Sequence, residues 1–352
     1  MPSRAYLIAA LVALFVPGLA QAKALYRVVP VGVIPGFDAS YSAALAPGPI
    51  VAGLCTTFGT SEPFFWTPRR GIVAAGRFAG ARNIETRSVN ALGWMVGGSD
   101  GNRGIRAWLW REGQGYTDLA LVASLGISGA SGINASGEVV GYGRAAFPFL
   151  WSESRGTVWL PGLPGTVGQG MAYAINDAGT VVGFLYDATG VGRPVAWRLG
   201  SPIDLGVPRE FRSGEAVAIS PGGRVAGNLL DGSQFPFAAL YDPVRGWSPL
   251  GVLPGGNFSA ATGVNDAGWV VGFGSSLRGG AGWLWRPDLG LRDLDDLLEP
   301  GSRAWTILRA SGIDGAGRIA ATAQRAGETT AVLLVPDLRP AVVPAVAAPT
   351  SP

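Results

Sequence analysis

An aliphatic pair followed by a small residue returns seven times along this chain at nearly constant spacing, and this regularity restricts the fold more than any other feature. The copies are Val51-Ala52-Gly53, Met95-Val96-Gly97, Val139-Val140-Gly141, Val181-Val182-Gly183, Val225-Ala226-Gly227, Val270-Val271-Gly272 and Ile319-Ala320-Ala321. Their third residues lie 44, 44, 42, 44, 45 and 49 positions apart. Periods of about 20 to 50 residues belong to solenoids and propellers, where one unit cannot bury its apolar face alone.

The residues around each anchor describe a small antiparallel sheet. Seven positions ahead stands a turn former, at Asn90, Asn134, Asn176, Ser220, Asn265 and Asp314, with Ala46 as the exception. Four positions ahead is Gly93, Gly137, Gly179, Gly223, Gly268 or Gly317. Asn and Asp bond back to their own chain and glycine supplies positive φ, which is hairpin chemistry. A further apolar strand ends in a bulky residue at Trp66, Trp110, Trp151, Trp197, Tyr241, Trp285 and Leu334, placed to pack between neighbouring sheets. A glycine turn and a fourth short strand follow, as at Leu250 to Gly256. Nine positions ahead of the anchors every residue is small, from Ala44 and Ser88 to Gly263 and Gly312, as crowding of inner strands around an axis requires. The pattern predicts an all-β fold, a seven-bladed β-propeller of four-stranded antiparallel blades.

The ends favour a ring over a solenoid. Val29 to Gly36 reads as a fourth strand before the first repeat, whereas the last repeat runs out after its third strand at Val335-Pro336. The N-terminal strand, near Tyr26 to Val31, is therefore expected to complete the last blade beside Ala331 to Val335. Residues 1–22 read as a secretory signal peptide: Arg4, an apolar run from Tyr6 to Val16, and a small-x-small site at Ala20-Gln21-Ala22. Residues 23–336 form the expected propeller, and the Pro- and Ala-rich stretch 337–352 an expected disordered tail. The reading is a secreted protein, periplasmic or extracellular, with no membrane attachment once the signal is cleaved.

Composition removes several function classes. The chain has no histidine and a single cysteine, Cys55. This excludes Ser-His-Asp and Cys-His nucleophile activation, an intramolecular disulfide, and the commonest ligand of zinc, copper and iron. With 27 basic and 24 acidic residues it carries no basic excess of the kind nucleic acid selects, so no nucleic-acid partner is expected. No cofactor and no metal site are predicted, and the chain reads as a monomer.

The copies Ile175 to Gly183 and Val264 to Gly272, with Phe149-Leu150-Trp151 and Leu250 to Gly256, resemble the HAF-repeat family of extracellular bacterial proteins. The resemblance covers residues 28 to 335, and Asp293 to Ser302 is similar to an insertion in that family's last repeat. The histidine that names the motif is absent here, with Arg106, Phe147 and Arg193 at comparable places. The resemblance implies export and repeat architecture but no reaction.

Propellers bind ligands where loops from all blades converge on the channel. The positions twelve ahead of the anchors, Tyr41, Glu85, Gly129, Met171, Glu215, Ala260 and Arg309, begin the innermost strands, with Arg87 and Tyr173 two positions on. Glu85, Arg87, Tyr173, Glu215 and Arg309 are the candidate ligand-binding residues of this rim; no catalytic residue is assigned. The acidic stretch Asp293, Asp295, Asp296 and Glu299 is a second candidate, although it lacks a spaced calcium loop. The function read from this is a non-enzymatic exported binding or scaffold module, its partner a glycan or another exported protein. The alternative is a carbohydrate-active hydrolase or lyase using the rim carboxylates, since glycoside cleavage needs two suitably spaced acids.

Overall fold

Each repeat forms two successive hairpins because its polar turns interrupt apolar runs too short for anything but strands. The computed structural model describes residues 26 to 337 except 102, 103, 123–125, 127, 233 and 234. The expected signal peptide, and the expected tail apart from Asp337, lie outside the described residues. Among the described residues there are seven four-stranded antiparallel sheets, one four-residue α-helix, Leu119–Val122, and two 3-10 turns, Asp295–Leu297 and Pro300–Ser302. The innermost strands of blades 1 to 7 are Ala39–Ala46, Ala81–Val89, Gly129–Ile133, Thr166–Ile175, Ser213–Ile219, Ser259–Val264 and Thr306–Ile313. All run the same way along the channel. We call the end where they begin the leading face and the end where they turn back the trailing face.

The anchor glycines answer a steric demand. Every innermost strand carries a β-bulge, between Ser42 and Ala44, Thr86 and Ser88, Ala130 and Gly132, Ala172 and Ala174, Ala216 and Ala218, Ala261 and Gly263, and Ala310 and Gly312. The bulge drives a carbonyl oxygen at the second strand. A Cβ on Gly97 would stand 1.8 Å from the Glu85 oxygen, and one on Gly183 1.9 Å from that of Met171. Gly53, Gly141, Gly227 and Gly272 face the same clash at 1.9 to 2.4 Å. In blade 7, where Ala321 replaces the glycine, a further bulge falls between Ile307 and Arg309. The extra residue in each bulge is Ala43, Arg87, Ser131, Tyr173, Val217, Thr262 or Ser311. A bulge re-aims one side chain per strand. The small residues one position later separate adjacent inner strands: a Cβ on Gly263 would lie 3.1 Å from the Gly312 Cα, and one on Gly312 3.1 Å from the Leu45 nitrogen.

The hairpin asparagines join blade to blade as well as turning the chain. In each, Oδ1 accepts the backbone N–H four residues on, from Trp94, Glu138, Thr180 and Trp269. The amide nitrogen then donates to the carbonyl of the same residue in the next blade: Asn90 to Asn134 at 3.0 Å, Asn134 to Asn176 at 3.3 Å, Asn176 to Ser220 at 3.3 Å and Asn265 to Asp314 at 3.1 Å. Where Ser220 breaks the series, Asp266 of blade 6 reaches back and accepts from the Ser220 hydroxyl and the Gly222 N–H.

The ring closes where the first strand, Tyr26–Gly32, pairs antiparallel with the last, Glu328–Pro336, as the outermost strand of blade 7. The insertion after blade 6 fastens it. Leu294, Leu297 and Leu298 are buried against Tyr26 and Val28. Glu299 N–H donates to the Tyr26 carbonyl at 3.0 Å, and Ser302 Oγ accepts from Val28 N–H at 3.0 Å. Across the seam, Ser40 Oγ accepts from Ala331 N–H at 2.9 Å and Thr322 Oγ1 accepts from Ser42 N–H at 3.1 Å. Cys55 is fully buried in the core between these two blades, and its Sγ accepts from Ile34 N–H at 3.5 Å. Trp66, Trp110, Trp151 and Trp197 are buried between blades, whereas Tyr241 and Trp285 are half-covered.

Three substitutions test these contacts. Gly97→Ala should lower unfolding free energy by at least about 1–3 kcal/mol, the usual cost of overpacking, because backbone must move. Its neighbour Gly98, with nothing within 4 Å of a built Cβ, should accept Ala within about 0.5 kcal/mol in chemical denaturation. Asn265→Asp keeps the acceptor for Trp269 but sets a carboxylate against the Asp314 carbonyl. It should cost about 1–3 kcal/mol, measured as a fall in denaturation midpoint.

Candidate functional site

The bulges determine what faces the channel. Ser131, Tyr173, Val217, Thr262 and Ser311 line a chamber of about 300 Å³ that opens at the trailing face among the asparagine turns. A second cleft of about 330 Å³ is lined by Arg87, Ser131, Tyr142, Met171, Tyr173 and Val217. Ser131, Tyr173 and Val217 belong to both and form the partition between them. Trailing-face polar groups are largely consumed by the blade-to-blade hydrogen bonds described above. The leading side is therefore where chemistry is available.

Of the five rim residues expected from sequence, four meet in pairs. Glu85 and Arg87 form an ion pair at 3.1 Å with Glu85 largely exposed. The Tyr173 hydroxyl donates to Glu215 Oε2 at 2.9 Å, and Asn228 Nδ2 donates to Glu215 Oε1 at 3.1 Å. Asn228 in turn accepts from Ala261 N–H at 2.8 Å, so Glu215 is a strut across blades 4, 5 and 6. Burial, then the neighbouring Glu215 charge and hydrogen bond, push the Tyr173 phenol well above its ordinary range, so it acts as a neutral donor. Arg309 stands apart from this cluster. Its guanidinium carbon lies 4.2 Å from the Phe273 ring centroid, and no described carboxylate pairs with it.

Sequence reasoning placed small residues toward the channel and overlooked the bulge, which instead presents Arg87 and Tyr173 there. It also missed an adjoining groove of about 460 Å³ between blades 4 and 5, lined in part by Phe184, Tyr186, Arg212, Glu215 and Leu230. Tyr173, Phe184 and Tyr186 form a chain of ring contacts at 5.7 and 4.9 Å. Phe184 and Tyr186 lie on the second strand of blade 4, Val181–Asp187, one and three positions past its anchor glycine. The histidine-replacing arginines have structural partners: Arg106 pairs with Asp118 at 2.5 Å and donates to the Ala79 carbonyl, and Arg193 pairs with Asp204 and donates to the Pro164 carbonyl. Each pins the loop that leads into its own blade.

In the acidic insertion two carboxylates do backbone work, while Asp296 pairs with Arg278 at 3.1 Å. Asp293 Oδ1 accepts from Asp295 N–H at 3.0 Å and Asp295 Oδ1 from Ile307 N–H at 2.7 Å. Among the described residues no group of three or more His, Cys, Asp or Glu is arranged to hold a metal ion. No described helix is long and apolar enough to cross a membrane.

No family model and no curated protein matches this chain. Solved structures share its fold. A streptogramin B lyase is similar with a TM-score of 0.52 at 10% identity, covering 89% of this chain and 98% of its own. An extracellular domain from B. thetaiotaomicron is similar at 0.50 and 8% identity, covering 88% of this chain and 39% of that one. A chain of the mitotic checkpoint complex is similar at 0.50 and 12% identity, covering 96% and 99%. At such identities the likeness establishes the β-propeller and nothing of its chemistry.

Burial raises the carboxyls of Asp293 and Asp295 above the ordinary carboxylate value. A raised acid binds its proton more tightly folded than unfolded, so ionisation destabilises the fold as pH rises through that range. The penalty is absent below the unfolded value of about 4 and complete above the folded one. Asp295→Asn, which keeps an oxygen for the Ile307 N–H, should therefore raise Tm at neutral pH. In thermal scans across pH the gain should disappear under acid conditions.

Proposed function

We propose that this protein is an exported, non-enzymatic propeller that binds a glycan or another exported protein on its leading face, across the rim of Glu85, Arg87, Tyr173, Glu215 and Arg309. Its place in the HAF-repeat family is part of the same proposal, carried by the seven repeats. The observation that carries it is the difference between the two faces. Eight of the large exposed apolar side chains among the described residues belong to leading-face strand ends and loops: Tyr41, Phe58, Ile105, Phe147, Val167, Tyr186, Phe235 and Leu277. Leu92, Leu199 and Val244 stand on the trailing side, and Val158, Trp159 and Ile203 lie on the outermost strands of blades 3 and 4. An apolar fringe around a polar cleft is the composition of a binding surface.

The engagement of the carboxylates supports binding over hydrolysis as the work of this rim. Both oxygens of Glu215 are held by Tyr173 and Asn228, and Glu85 is tied to Arg87, so neither is poised over the cleft as a free acid. The positive groups are the ones with capacity to spare. Arg309 lacks a carboxylate and Arg87 reaches only an exposed one, which favours a ligand with acidic or strongly accepting groups.

Replacing Arg87 and Arg309 together by Ala tests the reading. Retention on immobilised glycans or exported-protein fractions should fall by about tenfold or more. Stability should fall little, because exposed pairs and cation–π contacts contribute about 0–1 kcal/mol each. Undiminished retention by a folded double variant would place the ligand elsewhere, and glycan turnover that vanished in Glu85→Gln or Glu215→Gln would replace binding with catalysis.

A further inference from the structure

A further concavity lies on the leading side of the junction between blades 6 and 7, away from the channel. It encloses about 640 Å³, and its lining includes Arg278, Arg292, Asp295, Asp296, Arg303 and Trp305. Trp305 also lines a smaller hollow of about 270 Å³ shared with Pro30, Arg325 and Thr330. The indole thus stands as a half-buried wall between two hollows, with the Arg325 guanidinium 5.4 Å from its ring centroid. Four arginines line the two hollows that meet at Trp305.

Their charges are unevenly spent. Arg278 is engaged by Asp296 at 3.1 Å and lies 3.9 Å from Asp293. Asp295 has one oxygen committed to the Ile307 N–H. Arg292 and Arg303 have no carboxylate within ion-pair distance among the described residues, although they sit in the same concavity. A ligand here meets an indole face, two guanidiniums without a counter-charge, and carboxylate oxygens able to accept. A pyranose has an apolar C–H face for the indole and hydroxyls for the carboxylates. An acidic substituent on the sugar satisfies the guanidiniums, whose planar forks match carboxylate and sulfate.

We infer that the Trp305 concavity is a binding site for acidic oligosaccharides, with Trp305 as the stacking platform and Arg292 and Arg303 as the anion contacts. The site is separate from the channel rim, so it stands or falls independently of the function proposed above. The carboxylates of the insertion fix the loop that carries Trp305, which ties the latch over the closing strand to the placement of the platform.

The test is calorimetric titration of the folded mature chain with tetragalacturonate, a sulfated maltotetraose and neutral maltotetraose. Binding of one or both acidic sugars, weakening with added salt, is the expected result, and which of them binds names the acidic group. Trp305→Ala and the double change Arg292→Gln with Arg303→Gln should each weaken that binding about tenfold or more, while Trp305→Phe retains most of it. Both arginines are exposed, so the double variant should keep the wild-type Tm even if Trp305→Ala does not. The channel variant lacking Arg87 and Arg309 should retain the acidic-sugar binding that Trp305→Ala removes. Failure of wild-type protein to bind either acidic sugar, equal binding of the neutral one, or binding untouched by the arginine double variant would overturn the assignment.

Discussion

A backbone carbonyl stands about 2 Å from where a side chain would begin at six of the seven anchor positions, and the rest of the molecule follows from that contact. Glycine admits the carbonyl, the carbonyl belongs to a bulged strand, and the bulge inserts one extra residue into every innermost strand. Without the extra residue the inner strand would alternate regularly, between the neighbouring blades and the channel. With it, the strand bends as it approaches the axis, and seven such strands can converge without collision. The small residues that follow each bulge serve the same end, because a Cβ at Gly263 or Gly312 would already press on the next strand.

Convergence leaves the question of what holds adjacent blades in register, since hydrophobic contact alone is indifferent to sliding. The polar answer changes from junction to junction. Thr86 donates to the Gly53 carbonyl between blades 1 and 2, asparagine amides serve blades 2 to 5, Asp266 serves blades 5 and 6, and Thr262 reaches the Ala310 carbonyl beside Asn265 between blades 6 and 7. Ser40 and Ser42 take over at the seam, where Asp314 has no amide to donate and Ala46 has no polar side chain at all. Each such bond is modest, about 0.5–1.5 kcal/mol, but each one left unmade in a buried junction costs more. The insertion after blade 6 belongs to this system. It covers the one strand whose neighbour in space is more than 290 residues away in sequence, a pairing whose loop-closure entropy no local hairpin offsets.

What sequence made legible was whatever recurs. Periodicity located the anchors, the asparagine turns and the aromatic positions of the third strands, because the same packing problem is solved seven times with the same residue types. The pairing of the first strand with the last was legible as a surplus at one end and a deficit at the other. The second function of the asparagines was hidden, because a turn accounts for Asn by itself and nothing local shows where the amide nitrogen points. The bulge was hidden for a related reason: it alters the facing of Arg87 and Tyr173 without altering the spacing of any motif. Glu215 and Arg309 were found by position along the strand, yet their partners, Asn228 and Phe273, come from different strands and could only be seen in space.

The residues of the two proposed sites include those where the repeat departs from itself. At the bulge position five blades carry Ala, Ser, Val or Thr, while blades 2 and 4 carry Arg87 and Tyr173. Trp305 follows the insertion after blade 6 and directly precedes the innermost strand of blade 7. Junctions with Ser131 or Val217 at the bulge close without a large side chain there, so the ring does not require Arg87, whereas Tyr173 also braces Glu215 across blades 4 and 5. Both sets lie toward the face where the apolar fringe gathers, while the opposite face spends its polar groups on joining blades. The molecule thus separates its two tasks in space: hydrogen bonding between blades saturates the trailing side, and the unsaturated guanidiniums and rings are left on the leading side, where a ligand can complete them.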